Sequence, residues 1–213
     1  MMSIYSYIVR YDSGFAPNPF YGICSLATCK PLIRQHAKIG DWVVGCSSDD
    51  RTVRRGGHLV YAMRVTDHLT FDGYDSEPRF KAKKPIRNGS RKQSAGDNLY
   101  YHAAGIAGWS QRDSFHSQVS GGPNPKHVAN DTQVDRVLLS DDYIYFGGEG
   151  PDFPANLVDN RGRHICKNGI GRSKFKDEVM EGRFVAWIRS LGPGGLRGAP
   201  FEWLTLRSEG AQS

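Results

Sequence analysis

The stretch TCKPLIRQHAKIGDWVVGC, from Thr28 to Cys46, carries the pattern that decides the fold. Pro31 suits the first turn of a helix, because proline fixes φ and its missing N–H needs no partner there. Gly40 can end that helix in the left-handed conformation, which glycine adopts without steric cost. One face of the helix carries Leu32, Ile33, His36 and Ala37. The residues from Asp41 to Cys46 are rich in β-branched and aromatic side chains, which predicts a strand directly after the helix.

Strand patterns recur on both sides of this helix. Ile4 to Arg10 alternates along an aromatic and β-branched segment, and His58 to Thr66 is a long, fairly apolar run, so both stretches predict strands. Two later stretches, Val134 to Ser140 and Asp142 to Gly148, predict strands joined by a turn. This pattern is typical of a β-rich α+β protein, and we expect a small mixed or antiparallel barrel with flanking helices.

One long amphipathic helix is predicted near the end of the chain, from Phe175 to Leu191. Its apolar residues recur at three- and four-residue spacings, Ser173 could cap its first turn, and Gly192 follows its last residue. We expect the core to contain Val43, Val44, Val60, Ala62, Val65, Phe184, Trp187 and Ile188.

The middle of the chain gives a weaker signal. Between Asp67 and Asp131, glycine, serine, asparagine and proline recur, and only DNLYYH indicates a short strand. We interpret residues 67–131 as a loop-rich insertion or functional arm within a single domain of residues 1–213, and residues 205–213 as a flexible tail.

Composition limits the class of protein. The chain has 213 residues and a formal net charge of +6, which favours a polyanionic partner, although a basic surface without such a partner is equally compatible with this charge. The four cysteines form neither a CxxC pair nor a secreted disulfide framework. The N-terminus does not match a signal peptide, and no apolar run is long enough to span a membrane. We therefore expect a soluble cytoplasmic protein with reduced thiols and no bound metal or cofactor.

The clearest electrostatic feature is the basic run RFKAKKPIRNGSRKQ, from Arg79 to Gln93, which contains no acidic residue. Such a run is often only a solvated face, but glycine and proline keep this one from forming a helix, so it can follow a phosphate backbone. Tyr100 and Tyr101 come shortly after it, and rings that stack on bases commonly accompany phosphate contacts. We predict phosphate contacts by Lys83, Lys84, Arg87, Arg91 and Lys92.

The connector from Tyr11 to Pro31 is long, rich in aromatic residues and poor in charge, which favours an ordered functional segment over disorder. Its rings could form faces for a base, and its polar side chains could read the hydrogen-bonding edge of that base. The alternative is that the rings only fasten the loop to the fold. We predict a base or nucleotide pocket formed by Tyr11, Asp12, Ser13, Asn18, Phe20, Tyr21 and Trp42.

Catalytic and metal-binding patterns are weak in the sequence. Cys24 or Cys29 could pair with His36, and the stretch Ser114 to Ser117 contains a histidine near hydroxyl residues, but no nucleophile or phosphate-loop motif accompanies either. The spacing of Cys24 and Cys29 is unusual for a structural zinc pair, and the other two cysteines are isolated. The simpler interpretation is that the four cysteines are thiols that bind no metal.

Four segments carry a resemblance to a known family: YSYIVRYDSGFAPNPFYGICSLATCKPLIRQHAKIGDWVVG, LVYAMRVTDHLTFDGYDSEPRF, KKPIRNGSRKQSAGDNLYY and DRVLLSDDYIYFGGEGP. They resemble the nucleotide modification associated domain, type two, a family of bacteria and their viruses. This resemblance implies an association with systems that modify bases in DNA. A second resemblance, carried by KIGDWVVG, HLVYAMRVT and YDSEPRF, is to the PUA-like domains, especially the EVE branch. It implies a barrel that holds a flipped, often modified base in an aromatic pocket.

Three functions are compatible with these observations. The leading hypothesis is a binding module that recognises a modified base in DNA by phosphate attraction and extrusion of one nucleotide. The alternative is an enzyme that acts on a modified nucleotide or base, with Asp12, Asp41 or Asp97 as acid–base groups. The third is an interaction subunit of a modification complex, which an exposed apolar patch would indicate. A titratable group buried beside a partner in a cleft would favour the enzyme over the binding module.

Overall fold

The computed structural model describes residues 2–49, 56–166 and 171–204, so the tail predicted at residues 205–213 lies outside the described residues. The chain forms two compact units. Unit 1 comprises Met1–Ser13, Ala37–Thr66 and Asp141–Ser213, and unit 2 comprises Gly14–His36 and Asp67–Ser140. Unit 2 therefore contains most of the long connector together with the whole loop-rich region.

The elements are numbered here in chain order. The strands are β1 (Ile4–Val9), β2 (Cys24–Leu26), β3 (Trp42–Ser47), β4 (Leu59–Arg64), β5 (Asp67–Leu69), β6 (Tyr100–Tyr101), β7 (Ser110–Gln111), β8 (Val137–Ser140), β9 (Asp142–Tyr145), β10 (Arg172–Phe175) and β11 (Gly195–Leu196). The α-helices are α1 (Pro31–His36), α2 (Phe71–Ser76), α3 (Arg91–Ser94), α4 (Pro125–Thr132) and α5 (Glu178–Ser190). Short 3₁₀ helices cover Pro78–Lys83 and Gly147–Glu149, and residues 201–204 are helical. None of the described helices is long and apolar enough to cross a membrane.

Unit 1 is built on a six-stranded sheet with the order β10-β1-β3-β4-β9-β11. β1 and β3 run parallel, with Ile4 opposite Trp42, whereas β4 pairs antiparallel with both β3 and β9. Parallel neighbours need a long crossover instead of a hairpin, and residues 14–36, which belong to unit 2, supply it. The sheet ends at β10 and β11, so the described residues form a mixed α/β structure in which no sheet closes into a barrel. The predicted PUA-like barrel is therefore not confirmed.

The core of unit 1 confirms the predicted apolar set. Its buried members are Val43, Val44, Val60, Ala62, Val65, Phe184 and Ile188, and Trp187 is half-buried. The amphipathic helix is α5, and its N-terminal cap is Asp177, whose carboxylate accepts a hydrogen bond from Met180 N at 2.9 Å. Ser173, the predicted cap, lies in β10 instead.

Unit 2 contains a three-stranded sheet with the order β2-β8-β5. β8 and β9 are strands as predicted, but they belong to different sheets and different units. The region expected to be irregular contains α2, α3 and α4. These helices are short, and their N-terminal caps are Thr70, Ser90 and Asn124, whose side chains accept backbone hydrogen bonds. Hydrophobic periodicity could not reveal them, because local caps define helices of so few turns.

Candidate active site

A tight turn between β2 and α1 presents Cys29 in unit 2. Cys29 and Lys30 both have positive φ, at 56° and 42°, a conformation that is uncommon for residues other than glycine. Such positions cost about 1–3 kcal/mol each and are concentrated at functional sites. Pro31 then begins α1, and the N–H groups of Ile33 and Arg34 donate to the carbonyl of Lys30. Catalytic nucleophiles are exposed on strand-to-helix turns of this kind in some hydrolases.

Three side chains that are distant in sequence form one chain of contacts at this turn. Cys29 Sγ lies 3.7 Å from Nε2 of His116, and Nδ1 of His116 donates to Oδ2 of Asp131 at 2.8 Å. The hydroxyl of Tyr100 donates to the same Oδ2 at 2.9 Å, and the N–H of Cys29 donates to Oδ1 at 2.9 Å. Asp131 is buried, whereas Cys29 and His116 are partly exposed. A thiol, an imidazole and an orienting carboxylate in this order are the parts of a thiol nucleophile with its general base.

Electrostatic interactions favour the charged form of the His116 imidazole. Burial opposes the imidazolium, but the hydrogen bonds with Asp131 and Cys29 outweigh burial and raise the pKa of His116 to about 9. Burial also opposes the carboxylate of Asp131, but hydrogen bonds from His116, Tyr100 and the backbone of Cys29 hold its pKa below the usual value. His116 can therefore hold the proton that leaves the thiol of Cys29 at neutral pH.

Arg34 forms hydrogen bonds with the backbone of Cys29 and of Asp131, the two ends of this series of contacts. Its guanidinium is buried, and Nε donates to the carbonyl of Cys29 at 3.0 Å, while Nη2 donates to the carbonyl of Asp131 at 2.5 Å. Nη1 donates to the carbonyls of Val134 and Arg136 at 2.7 and 2.8 Å. One side chain of α1 thus joins the Cys29 turn to the end of α4 and to the segment that leads into β8.

Aromatic rings orient the imidazole of His116. His127 of α4 stacks on it with 4.1 Å between the ring centroids, and Phe15 packs edge-on at 4.8 Å. Phe115 packs on Phe15 at 5.6 Å and is 43% exposed. Burial and the neighbouring charge of His116 lower the pKa of His127. The imidazole of His116 is therefore held between a neutral ring and an apolar ring.

The same cluster could be considered a metal site, because Cys29, His116 and Asp131 offer ligand atoms within 4.8 Å of one another. Both carboxylate oxygens of Asp131 already accept hydrogen bonds, from Cys29 N, Tyr100 and Nδ1 of His116. A metal bound by Sγ and Nε2 would therefore receive two ligands from these residues, fewer than the three or four of typical zinc sites. The geometry fits proton transfer better than metal binding.

Apart from Cys29 and His116, the catalytic groups considered from the sequence lie elsewhere. Asp12 and Asp41 lie in unit 1, where their carboxylates accept hydrogen bonds from a tyrosine hydroxyl and from backbone N–H groups. Asp97 is buried in a separate network of unit 2. His36 contacts a carbonyl of its own helix, at the exposed end of α1. Burial raises the pKa of Cys24 to about 12, which keeps its thiol neutral.

The structure distributes the predicted base pocket over both units. Unit 1 contains Tyr11, Asp12, Ser13 and Trp42, and unit 2 contains Asn18, Phe20 and Tyr21. Trp42 is buried in the core of unit 1, where it packs on Phe184 at 5.4 Å, so its ring is covered by protein and is not available to a base. Tyr11 is 70% exposed, and Asp12 lines a small cleft in unit 1.

Asn18 and the predicted phosphate ligand Lys83 meet in the interior of unit 2. Lys83 Nζ donates to the backbone carbonyl and Oδ1 of Asn18 at 3.0 and 2.7 Å, and to Oγ of Ser25 at 2.9 Å. Asp97 accepts from Ser25 Oγ at 2.7 Å and from the hydroxyl of Tyr74 at 2.8 Å. Burial lowers the pKa of Lys83 and raises that of Asp97. This buried network therefore corrects the prediction for Lys83, which cannot reach a phosphate unless the network opens.

The other predicted phosphate ligands have at least partly exposed side chains on unit 2: Lys84, Arg87, Arg91 and Lys92. Lys84 pairs with Asp75 at 2.8 Å. The ammonium of Lys92 lies 5.5 Å from the ring centroid of Phe20 and 5.8 Å from that of Tyr21. Phe20 is buried and Tyr21 is 40% exposed. The structure thus brings two predicted pocket residues together with one predicted phosphate ligand.

Sequence reasoning did not identify the group formed by Cys29, His116 and Asp131. The first pair is separated by 87 positions and the second by 15, so no local spacing connects the three residues. The available signal was the position of Cys29 between a strand pattern and the proline that starts a helix. That signal indicates a turn, but it does not indicate which histidine lies beside the thiol.

Comparison with known proteins identifies a family for the chain. No curated protein matches the chain, and no solved structure matches it. The family described as nucleotide modification associated domain 2 matches residues 1–207, a range that includes all of unit 2, most of unit 1 and the Cys29, His116 and Asp131 group. This confirms the resemblance carried by the four sequence segments, and the family description connects the chain with nucleotide-modification systems. The chain therefore belongs to the nucleotide modification associated domain 2 family.

Proposed function

We propose that this protein is an enzyme of nucleotide-modification systems that transfers or hydrolyses an acyl group through a thioester at Cys29. The contact chain of Sγ, His116 and Asp131, at 3.7 and 2.8 Å, carries this proposal. Family membership supports a nucleotide as the molecule that bears the acyl group. A module that only binds a base does not need an imidazole held between a thiol and a carboxylate.

The reaction has two halves, and protons balance in both. In the first, Cys29 Sγ bonds to the carbonyl carbon, the carbon–nitrogen or carbon–oxygen bond to the leaving group breaks, and His116 passes the thiol proton to the leaving amine or alcohol. In the second, water or an amine attacks the thioester and gives its proton to His116, which returns it to the departing sulfur. Asp131 orients the imidazole through Nδ1 in both halves.

A second candidate function is recognition of a modified base in DNA without chemistry. The observation that favours it is the ammonium of Lys92 above the rings of Phe20 and Tyr21. A cation beside a partly exposed ring suits a phosphate and a stacked base. Binding and catalysis would use different residues of this chain, so substitutions can separate the two functions.

Cysteine alkylation tests the proposed nucleophile. With iodoacetamide and peptide mass spectrometry, we expect Cys29 to be alkylated faster than the buried Cys24. The His116→Gln substitution should slow the alkylation of Cys29 by about tenfold or more, because the proton acceptor is lost. His36→Gln is the matched control, since His36 lies at the exposed end of α1 and contacts a carbonyl of its own helix. If Cys29 is alkylated at the same rate in the His116→Gln variant and in the unmodified protein, the proposal is contradicted.

An activated ester tests the covalent step. With p-nitrophenyl acetate we expect a burst of nitrophenolate and an acetylated Cys29 in the intact-mass spectrum, because an acyl-enzyme accumulates when its hydrolysis is slow. Cys29→Ser and His116→Gln should abolish the burst. A reactive Cys29 that forms no acyl adduct would instead support the binding module.

A further inference from the structure

Residues 84–92 carry two cations that lie over exposed aromatic rings. The guanidinium of Arg87 lies 5.9 Å from the ring centroid of Phe115, and the ammonium of Lys92 lies 5.8 Å from that of Tyr21. Phe115 is 43% exposed and Tyr21 is 40% exposed, so each ring has surface that a ligand can cover. Proteins that bind single strands combine stacking rings with cations in this way.

Local hydrogen bonds give this segment a defined shape. Ile86 N donates to the carbonyl of Gln93 at 3.1 Å, and Gly89 N donates to the carbonyl of Ile86 at 2.9 Å. Ser90 and Gln93 form a reciprocal capping box at the start of α3. The cations are therefore presented by an ordered turn, and a ligand loses less affinity to ordering than it would on a flexible basic tail.

One end of the segment lies at the candidate active site. Phe115 directly precedes His116 in the chain, and its ring packs on Phe15, which packs on the imidazole. Arg87 Nη1 donates to the carbonyl of Ser114 at 2.6 Å, which fastens the guanidinium to the loop that carries His116. A base stacked on Phe115 would therefore lie next to the Cys29, His116 and Asp131 group.

We infer that Arg87, Lys92, Phe115 and Tyr21 form a strand surface that binds unpaired nucleic acid, with one base on Phe115 and another on Tyr21. Arg87 and Lys92 contact phosphates of the same strand, since their Cα atoms lie no more than about 17 Å apart. Stacking on a protein ring requires a base that has left its pair, so an intact duplex does not fit. The inference rests on the proposed function only in placing the modified nucleotide at Cys29, because the binding contacts do not include the thiol.

Fluorescence anisotropy with a labelled oligothymidylate of about 12 nucleotides tests the strand surface, with every variant made in a Cys29→Ser background. We expect Arg87→Ala and Lys92→Ala each to weaken binding about tenfold and to reduce the steepness of the salt dependence by about 0.7 per lost phosphate contact. Lys84→Ala is the matched control, because it removes the same charge from the same segment although its ammonium is held by Asp75. We expect this control to leave the salt slope unchanged.

The aromatic contacts need a separate variant. Phe115→Leu keeps apolar bulk but removes the stacking ring, and we expect it to weaken binding by about tenfold without changing the salt slope. The inference is overturned if Lys84→Ala weakens binding as much as Arg87→Ala, or if Phe115→Leu binds normally. Competition by free thymidine monophosphate at the same nucleotide concentration would also overturn it, because the ligand would then be a single nucleotide. Thermal melts confirm that each variant is folded.

The two proposals fail in different measurements. If the proposed function is wrong, Cys29 forms no acyl adduct or its alkylation rate does not depend on His116, while the Cys29→Ser protein still binds the oligonucleotide. If the strand surface is wrong, the oligonucleotide affinity does not depend on Arg87 or Phe115, while the alkylation rate of Cys29 still depends on His116.

Discussion

The neighbours of His116 favour its protonated form, although burial of the imidazole opposes that charge. Burial opposes the imidazolium, yet the hydrogen bonds with Asp131 and Cys29 raise its pKa to about 9. Burial and the charge of His116 in turn lower the pKa of His127, whose ring stacks on it. Two adjacent histidines therefore differ in charge at neutral pH, and the one that contacts the thiol carries the proton.

This charge makes the contribution of His116 to stability depend on pH. Its folded pKa of about 9 exceeds the ordinary value of 6.5, so the protonated form is favoured by folding. The resulting stability is fully present below about pH 6.5 and is lost as the pH rises through about 9, by up to about 3 kcal/mol. We expect His116→Gln to be most destabilising near pH 6 in urea unfolding, with the difference from the unmodified protein shrinking towards about pH 9.5.

The Asp131→Asn background supplies the control for this measurement. One of the two groups that raise the pKa of His116 is altered there, so the effect of His116→Gln should differ less between the two pH values than it does in the unmodified background. A destabilisation by His116→Gln in the unmodified background that is equal at both pH values would show that the imidazole acts through packing alone.

At the scale of elements, a short helix and a strained turn depend on one buried arginine. The turn holds Cys29 and Lys30 at positive φ, and Arg34, one turn along α1, donates to four carbonyl groups that include those of Cys29 and Asp131. A six-residue helix has little stability of its own. Tertiary hydrogen bonds, more than helix propensity, therefore hold the nucleophile in place.

Arg34→Lys tests this dependence, because an ammonium cannot reproduce the planar fork of a guanidinium. We expect a loss of about 2–4 kcal/mol in the free energy of unfolding, since buried carbonyl groups lose their donors. Alkylation of Cys29 should slow as well, because the turn no longer holds the thiol beside the imidazole. Arg79→Lys is the control, since Arg79 pairs with Glu77 on the surface, and it should change stability by less than about 0.5 kcal/mol.

The buried network of Lys83 is the second feature at this scale. It joins the connector, through Asn18 and Ser25, to the 3₁₀ helix Pro78–Lys83 and to Asp97. A paired charge in the interior contributes little net stability, but removal of one partner leaves the other charge buried and unpaired. The network therefore specifies how the connector packs on unit 2.

Substitutions in this network should change stability more than binding. Lys83→Met removes the buried cation whose charge favours the carboxylate of Asp97, and we expect a loss of about 3–5 kcal/mol in chemical unfolding. Asn18→Ala should cost about 1–3 kcal/mol, because Lys83 loses a side-chain acceptor. Lys83→Met combined with Asp97→Asn should cost less than the sum of the two single changes. A Lys83→Met protein of normal stability that binds oligonucleotides weakly would restore the phosphate role predicted from the sequence.

Across the whole molecule, the placement of charges matters more than the net charge of +6. Within the basic run, Arg79 pairs with Glu77, Lys84 pairs with Asp75, and Lys83 is buried. The charge that this run can offer to a polyanion is therefore smaller than the sequence suggests. Arg87 and Lys92, which carry the proposed strand surface, lie over exposed rings.

The sequence by itself determined the elements whose signals are local. Period-two and apolar patterns identified β1, β3 and β4, three- and four-residue spacings identified α5, and the apolar residues chosen from them are core. Long matching segments also identified the family. The sequence patterns did not predict the short helices of unit 2, because caps and tertiary contacts define these helices more than periodicity does.

Tertiary structure alone decided which polar groups meet. Cys29 contacts a histidine 87 positions away. Lys83 forms a buried hydrogen bond with Asn18, 65 positions earlier in the chain. Trp42, which the sequence offers as a possible stacking ring, is covered by the core of unit 1. A periodic pattern reports which face of an element is apolar, whereas the pairing of distant side chains depends on how the whole chain closes. For that reason the elements with a periodic pattern could be predicted from the sequence, and the grouping of Cys29 with His116 and Asp131 could not.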